Sequence, residues 1–171
     1  GAYASSGLLG SRSGGLIAAT WAAMVTTGRD GYLKHAKAIF ETSYKMQEAV
    51  RQHPELKLMG RPTWCFSFTS SEFDIYHLND FMAKRGWRFN GQLNPGAIHM
   101  CVTRPQTQPG VADRFATDLA AAVEYAKSPA QEKPLSGGVY GGGALGLDTS
   151  NPEMVRHFLY GAMDYMAEYP F

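Results

Sequence analysis

The sequence predicts an α/β chain whose compact part is a two-layer α+β unit, with helices on one face of an antiparallel sheet. Three observations lead there. Residues 14 to 27 are small and apolar on nearly every side, a long amphipathic run follows to residue 53, and beyond Pro54 short β-prone stretches alternate with helical ones. The order after Pro54 is strand, strand, helix, strand, strand, helix, which suits antiparallel pairing with the helices on one side.

The first helix opens near Ser13 and carries Leu16, Ile17, Trp21, Met24 and Val25 among alanines, the composition of a helix buried all round inside a larger body. Gly28 ends it. Asp30-Gly31 then opens a second run to His53, with Tyr32, Leu33, Ala36, Ile39, Phe40, Tyr44, Met46, Gln47 and Val50 at three- and four-residue spacings, and Pro54 stops it. Strands are predicted at Leu56 to Met59 and Thr63 to Thr69. A helix follows from Asp74 to Lys84, with Ile75, Leu78, Phe81 and Met82 on one face, Asp74 as cap and Gly86 as terminator. Trp87 to Asn90 and Ala97 to Thr103 read as two further strands, Gly110 to Ala126 as a helix, and Pro152 to Tyr169 as a closing helix after a Gly-rich stretch from Ser136 to Gly146. The chain thus divides into residues 1–28, the end of a larger domain; 29–54, a connector helix; and 55–171, a small α+β domain.

The 171 residues are 44% hydrophobic and 12% aromatic, which excludes a disordered chain. Sixteen basic and fifteen acidic residues leave a net charge of +1, with no block of like sign, so no nucleic-acid partner is expected. The longest apolar run, Leu16 to Val25, is too short to span a bilayer. Cys65 and Cys101 sit in apolar runs away from any CxxC or Cys/His cluster and read as reduced core thiols. Together these features suggest a soluble, cytoplasmic protein. The chain opens on Gly1 in what reads as the middle of a loop, as a piece of something longer would.

The candidate chemistry gathers in Tyr3-Ala4-Ser5-Ser6-Gly7-Leu8-Leu9-Gly10-Ser11-Arg12-Ser13-Gly14-Gly15. Glycines admit an anion close to the backbone, Ser11 offers a hydroxyl, Arg12 a guanidinium and Tyr3 a phenol, just before a helix whose N-terminus favours negative charge. The same spacing also serves an ordinary turn ahead of a helix, with Tyr3 as a packing aromatic and Arg12 as a surface charge. His99 alternates with Ile98 on a predicted strand and shares a face with Cys101, as a hydrogen-bonded structural histidine would. His35, His53, His77 and His157 fall on presumed helix surfaces or ends, at no metal-binding spacing, and no metal site is expected. The Gly137 to Gly146 stretch has the composition of a nucleotide cradle but lacks the Lys-Ser/Thr of a P-loop, and it reads as a surface loop. No nucleophile–base or paired-carboxylate arrangement stands out, so no catalytic residue is assigned within the chain.

Tyr3-Ala4-Ser5 followed by Gly10-Ser11-Arg12-x-Gly14-Gly15 resembles the Tyr-Ala-Ser-Pro-x-x-x-Gly-Ser-Arg-Pro-Gly-Gly stretch of sphingosine-1-phosphate lyases. The likeness continues in order through Gly31-Tyr32, Phe73-Asp74-Ile75-Tyr76, Lys84-Arg85-Gly86-Trp87, Ile98-His99-Met100-Cys101-Val102-Thr103 and Val139-Tyr140-Gly141. Ser6 and Ser13 stand where that family has proline. The resemblance implies the C-terminal part of a PLP-dependent transferase-like (fold type I) enzyme, related to the group II decarboxylases, which uses pyridoxal 5'-phosphate (PLP). It implies a homodimer with shared active sites, completed by an N-terminal remainder that holds the Schiff-base lysine upstream of Gly1. It also implies that Gly10 and Ser11 bind the cofactor phosphate, with Tyr3 and Arg12 on the substrate side. The implied reaction is retro-aldol cleavage of a phosphorylated sphingoid base to a fatty aldehyde and phosphoethanolamine. Two alternatives are a PLP-dependent amino-acid decarboxylase of the same fold and a non-catalytic α+β dimerisation module.

Overall fold

The computed structural model describes residues 13–92, 95–136 and 152–168. A long helix α1 (Gly14–Arg51) leads to β1 (Leu56–Leu58), β2 (Cys65–Ser70), α2 (Ile75–Lys84), β3 (Asn90–Gln92) and β4 (Ala97–Cys101). A 3-10 turn (Arg104–Thr107), α3 (Val111–Lys127) and α4 (Pro152–Glu168) complete the order. The four strands form one antiparallel sheet in the order β1-β2-β4-β3, the helix-on-antiparallel-sheet architecture expected.

Strand alternation explains the two layers. Phe66, Phe68, Ile98 and Met100 point to one face of β2 and β4 and are almost fully buried under Leu78 and Met82 of α2 and Phe115, Leu119 and Val123 of α3. Phe115 is the pivot of this layer, edge-on to Phe66 at 6.3 Å and to Trp87 at 5.3 Å between ring centroids. The end of α1 closes one side. There Met46 and Val50 enter the core, while the buried Ser43 hydroxyl and Gln47 amide both donate to the Thr63 carbonyl, at 2.6 and 2.8 Å, and fix the approach to β2.

Gly28 breaks α1 where the sequence places the break. Its φ of 60° and ψ of 175° are non-helical, a conformation open to glycine and costly to residues with a Cβ, and the helix resumes directly after it. Before the break, the expectation of all-round burial is not met within this chain: Leu16, Trp21 and Val25 are 68%, 67% and 61% exposed. The reason is the lack of any element among the described residues packed on that stretch. Tyr32, Leu33 and Tyr44 are exposed as well, so the connector turns inward only over its last turns.

The predicted strand at Trp87 to Asn90 is displaced to Asn90–Gln92, for a backbone reason. The N–H of Gly86 donates to the Ala83 carbonyl at 3.0 Å and that of Trp87 to the Met82 carbonyl at 3.1 Å, the paired bonds that close a helix on a left-handed glycine, here at φ 86°. Trp87 is therefore committed to the end of α2. Its indole N–H donates to Asp118 Oδ2 at 2.8 Å and Arg85 binds Asp118 Oδ1 at 2.8 Å, tying that helix end to α3. The Arg114 guanidinium stacks on the outer face of the indole, 4.5 Å from the ring centroid.

Burial pushes the Asp118 carboxyl upward, but the hydrogen bonds from Trp87 and Arg85 and the charges of Arg85 and Arg114 outweigh it and hold it below the usual range. A carboxylate with a depressed folded-state pKa stabilises fully above its unfolded value, about 3.9, and loses that contribution as pH falls through the folded one. Urea unfolding between pH 6 and 2 is expected to show an acid-sensitive component that Asp118→Asn reduces. Equal acid sensitivity in both proteins would show that Asp118 contributes nothing to it.

Candidate functional site

The residues singled out for phosphate and substrate, Tyr3, Gly10, Ser11 and Arg12, lie outside the described residues, as does the stretch from Gly137 to Gly146. What the structure does place is the helix that follows them. Ser13 is the N-cap of α1 in extended conformation, its hydroxyl makes no capping bond, and the first turn carries no acidic residue. The first amides of α1 are thus served by no side-chain acceptor of their own turn, which leaves the positive end of the helix dipole uncompensated by that turn.

The second candidate region is the face of the sheet opposite α2 and α3. Register places Lys57, Cys65, Ser67, Thr69, Asn90, Gln92, His99 and Cys101 on it, a row of polar and sulfur-bearing side chains. An open pocket of about 390 Å³ lies on this face, lined by Met59, Arg61, Pro62, Cys65, Phe66, Ser67, Gln92 and His99. His99 keeps the expected position, opposite Ile98 and on the same side as Cys101. Its Nε2 meets Asn90 Nδ2 at 3.4 Å, while its Nδ1 and the Oε1 of Gln92 are buried atoms without a partner among the described residues. The pocket therefore offers a cation at its rim and hydrogen-bonding groups on its floor. Among the described residues no cluster of His, Cys, Asp and Glu could hold a metal, and no helix is long and apolar enough to cross a membrane.

The two cysteines are not core thiols. They are partners across β2 and β4 on the open face, Cys65 half-buried and Cys101 exposed, because odd-numbered positions of both strands point away from the helices. Burial, then the hydrogen bond from Cys101 and its proximity, push the Cys65 thiol up to about 11. His77 also departs from expectation. It is buried in α2 rather than surface-facing.

One anchoring residue escaped the sequence reading. Asp80, buried on α2, accepts from the backbone N–H of Leu135 at 2.6 Å and of Ser136 at 2.9 Å, and the Ser136 hydroxyl donates to the Tyr76 carbonyl at 3.1 Å. These bonds fix the chain at the threshold of the Gly-rich stretch. Tyr76 reaches the other way, its hydroxyl donating to the Gln92 carbonyl, so α2 holds both that threshold and the strand bordering the pocket. An apolar helix face alone gave Asp80 no distinguishing signal, since its partners are more than fifty positions away.

No family model matches the chain. Fold and site define a small α+β domain entered through a long, glycine-broken helix whose uncapped N-terminus follows a Gly-Ser-Arg sequence. The chain belongs to the sphingosine-1-phosphate lyase family. It is 42% identical to the sphingosine-1-phosphate lyase of Drosophila melanogaster over 77% of this chain and 24% of that protein. For the enzyme of Arabidopsis thaliana the identity is 38%, over 96% of this chain and 30% of that one. The solved structure of the Burkholderia pseudomallei sphingosine-1-phosphate lyase is 68% identical and superposes with a TM-score of 0.67, covering 73% of this chain and 28% of that one. The chain thus spans less than a third of these relatives.

Asp80→Ala should free the segment it anchors. Hydrogen exchange at the amides of Leu135 and Ser136 is expected to accelerate about 10- to 100-fold, the effect of losing bonds to a charged acceptor worth about 1.5–3 kcal/mol. Unchanged protection there, with α2 intact, would show that other contacts hold the segment.

Proposed function

We propose that this chain supplies the C-terminal wall of the active site in a PLP-dependent carbon-carbon lyase, which cleaves sphingosine 1-phosphate or a similar phosphorylated long-chain base to a fatty aldehyde and phosphoethanolamine. The observation that carries the reading is 68% identity to a structurally matched sphingosine-1-phosphate lyase, together with curated relatives of the same name.

The donor set fits a phosphate. Gly10 admits the anion to the backbone, Ser11 donates a hydroxyl, and the first amides of α1 lie next in the chain with no acidic side chain in their turn to compete. When bound, the cofactor supplies an electron sink for the electron pair left as the C2–C3 bond breaks. Gly10 and Ser11 hold its phosphate, while Tyr3 lines the substrate side and Arg12 supports it with charge-assisted hydrogen bonds. These residues position and neutralise. The lysine that carries the cofactor, and the groups that move protons, belong to the N-terminal remainder and to the neighbouring subunit of a homodimer.

The exposed apolar stretch of α1 supports this reading over a free-standing module. Leu16, Ile17, Trp21, Met24 and Val25 are each more than half exposed within about three turns, a surface that soluble proteins cover. In the full-length enzyme, Ser11→Ala is expected to weaken PLP retention by about 1–3 kcal/mol, the loss of one charge-assisted bond. Unchanged cofactor affinity, followed by absorbance during dialysis, would remove Ser11 from the phosphate site. The 171-residue chain purified alone should carry no absorbance band of lysine-bound cofactor and release no aldehyde. For the intact enzyme, aldehyde formed from a phosphorylated long-chain base supports the lyase reading, and carbon dioxide released from amino acids would replace it with the decarboxylase.

A further inference from the structure

The open face of the sheet carries a feature that the lyase reading does not use. Cys65 and Cys101 are 36 positions apart in sequence yet directly opposed in register, with their Sγ atoms 3.3 Å apart. The neighbouring pair is the hydrogen-bonded one, since Val102 N–H donates to the Trp64 carbonyl at 2.9 Å. Cys65 and Cys101 therefore form a non-hydrogen-bonded pair. There the Cα atoms of antiparallel strands approach to about 4.5 Å, within the span of about 4.4–6.8 Å that a disulfide bridges. They are also the first residue of β2 and the last of β4, where little further ladder has to move with them. We propose that Cys65 and Cys101 form an oxidisable cross-strand dithiol, which a peroxide converts to an intramolecular disulfide on the open face of the sheet.

Exposure divides the roles. Cys101, exposed, meets the oxidant, and Cys65, half-buried, lies against its sulfur as the resolving thiol. The Cys101 sulfur, as thiolate, attacks one peroxide oxygen and the O–O bond breaks; the departing oxygen takes protons and leaves as water, and Cys101 becomes a sulfenic acid. The Cys65 sulfur, giving up its proton, then attacks the Cys101 sulfur and displaces the second oxygen as water. Two thiols and one hydrogen peroxide yield one disulfide and two waters. Cys65 also lines the pocket beside Arg61 and His99, so the bridge alters the wall of that pocket as it forms. The inference stands whether or not the lyase reading does, because it rests on strand register, the sulfur separation and the exposure of Cys101.

The test uses the full-length protein, treated in the folded state with hydrogen peroxide, alkylated, digested without reductant and mapped by mass spectrometry. The expected product is a peptide pair joined through Cys65 and Cys101, two hydrogens lighter than the separate peptides and released by dithiothreitol. In Cys65→Ser, Cys101 should accumulate as a sulfenic acid that dimedone traps. In Cys101→Ser, Cys65 should stay unmodified over the same exposure. Phenylarsine oxide, which bridges paired thiols, should bind the reduced protein and lose that site in either serine variant. A disulfide from either cysteine to a different partner, or continued alkylation of both thiols after oxidation, would overturn the proposal. So would oxidation of Cys65 in Cys101→Ser at the parental rate.

Discussion

The pairing of β2 with β4 is the constraint on which the rest of this domain depends. Its register sets Phe66 against Met100 and Phe68 against Ile98, which puts every large apolar side chain of the two central strands on one face. A slip of β4 by one residue would send Ile98 and Met100 to the open side and bring His99 beneath α2 and α3, so the register is fixed by burial more than by any single hydrogen bond. Everything packed on that face follows. Phe115 of α3 fits between Phe66 and Trp87, and Trp87 in turn ties the end of α2 to Asp118. The opposed cysteines and the polar pocket are the other side of the same register, not separate inventions.

Gly28 divides α1 into two parts with different fates. After the break the helix ends against the sheet, with Met46, Gln47 and Val50 buried; before it, the same helical geometry presents an apolar surface that nothing among the described residues covers. Turning one half relative to the other needs a residue that tolerates positive φ, and glycine supplies it without straining either half. The reorientation matters because Gly-Ser-Arg immediately precedes the first half. In the proposed enzyme, the phosphate-binding end of α1 is positioned by whatever covers its apolar stretch, and the small domain hangs from its far end.

Much of this was legible in the sequence, and the failures have physical causes. Alternation gave the sheet faces of Ile98 and His99, Asp74 and Gly86 gave the ends of α2, and Gly28 gave the break in α1. Trp87 to Phe89 misled because aromatic, β-prone residues can be held just as firmly by a helix terminus and an indole bond to Asp118, neither of which leaves a local pattern. Cys65 and Cys101 misled because cysteine is often buried, and only the pairing of two distant strands reveals that both face outward. Asp80 was invisible for a similar reason, its value lying in two amides far along the chain. The candidate phosphate residues were found by identity, since composition and spacing also suit an ordinary turn.

The open sheet face and the apolar stretch of α1 make different physical demands. The open sheet face is polar and can be wetted, and the pocket there costs little even with Gln92 Oε1 and His99 Nδ1 unpaired among the described residues, since a water or a ligand group can reach an open pocket. The apolar stretch of α1 has no such recourse, because water gives Trp21 or Leu16 no compensating bond, and burying that stretch gains about 25 cal/mol for each Å² removed from water. Exposed apolar side chains on α1, and on α4 at Phe158 and Tyr160, therefore favour association with further protein surface. The sheet face is left free of that drive, and so can hold reactive groups such as the paired thiols without sacrificing the fold. In the proposed enzyme, this separation would let one small domain hold the segment that precedes α1 and keep the paired thiols on a face that takes no part in that contact.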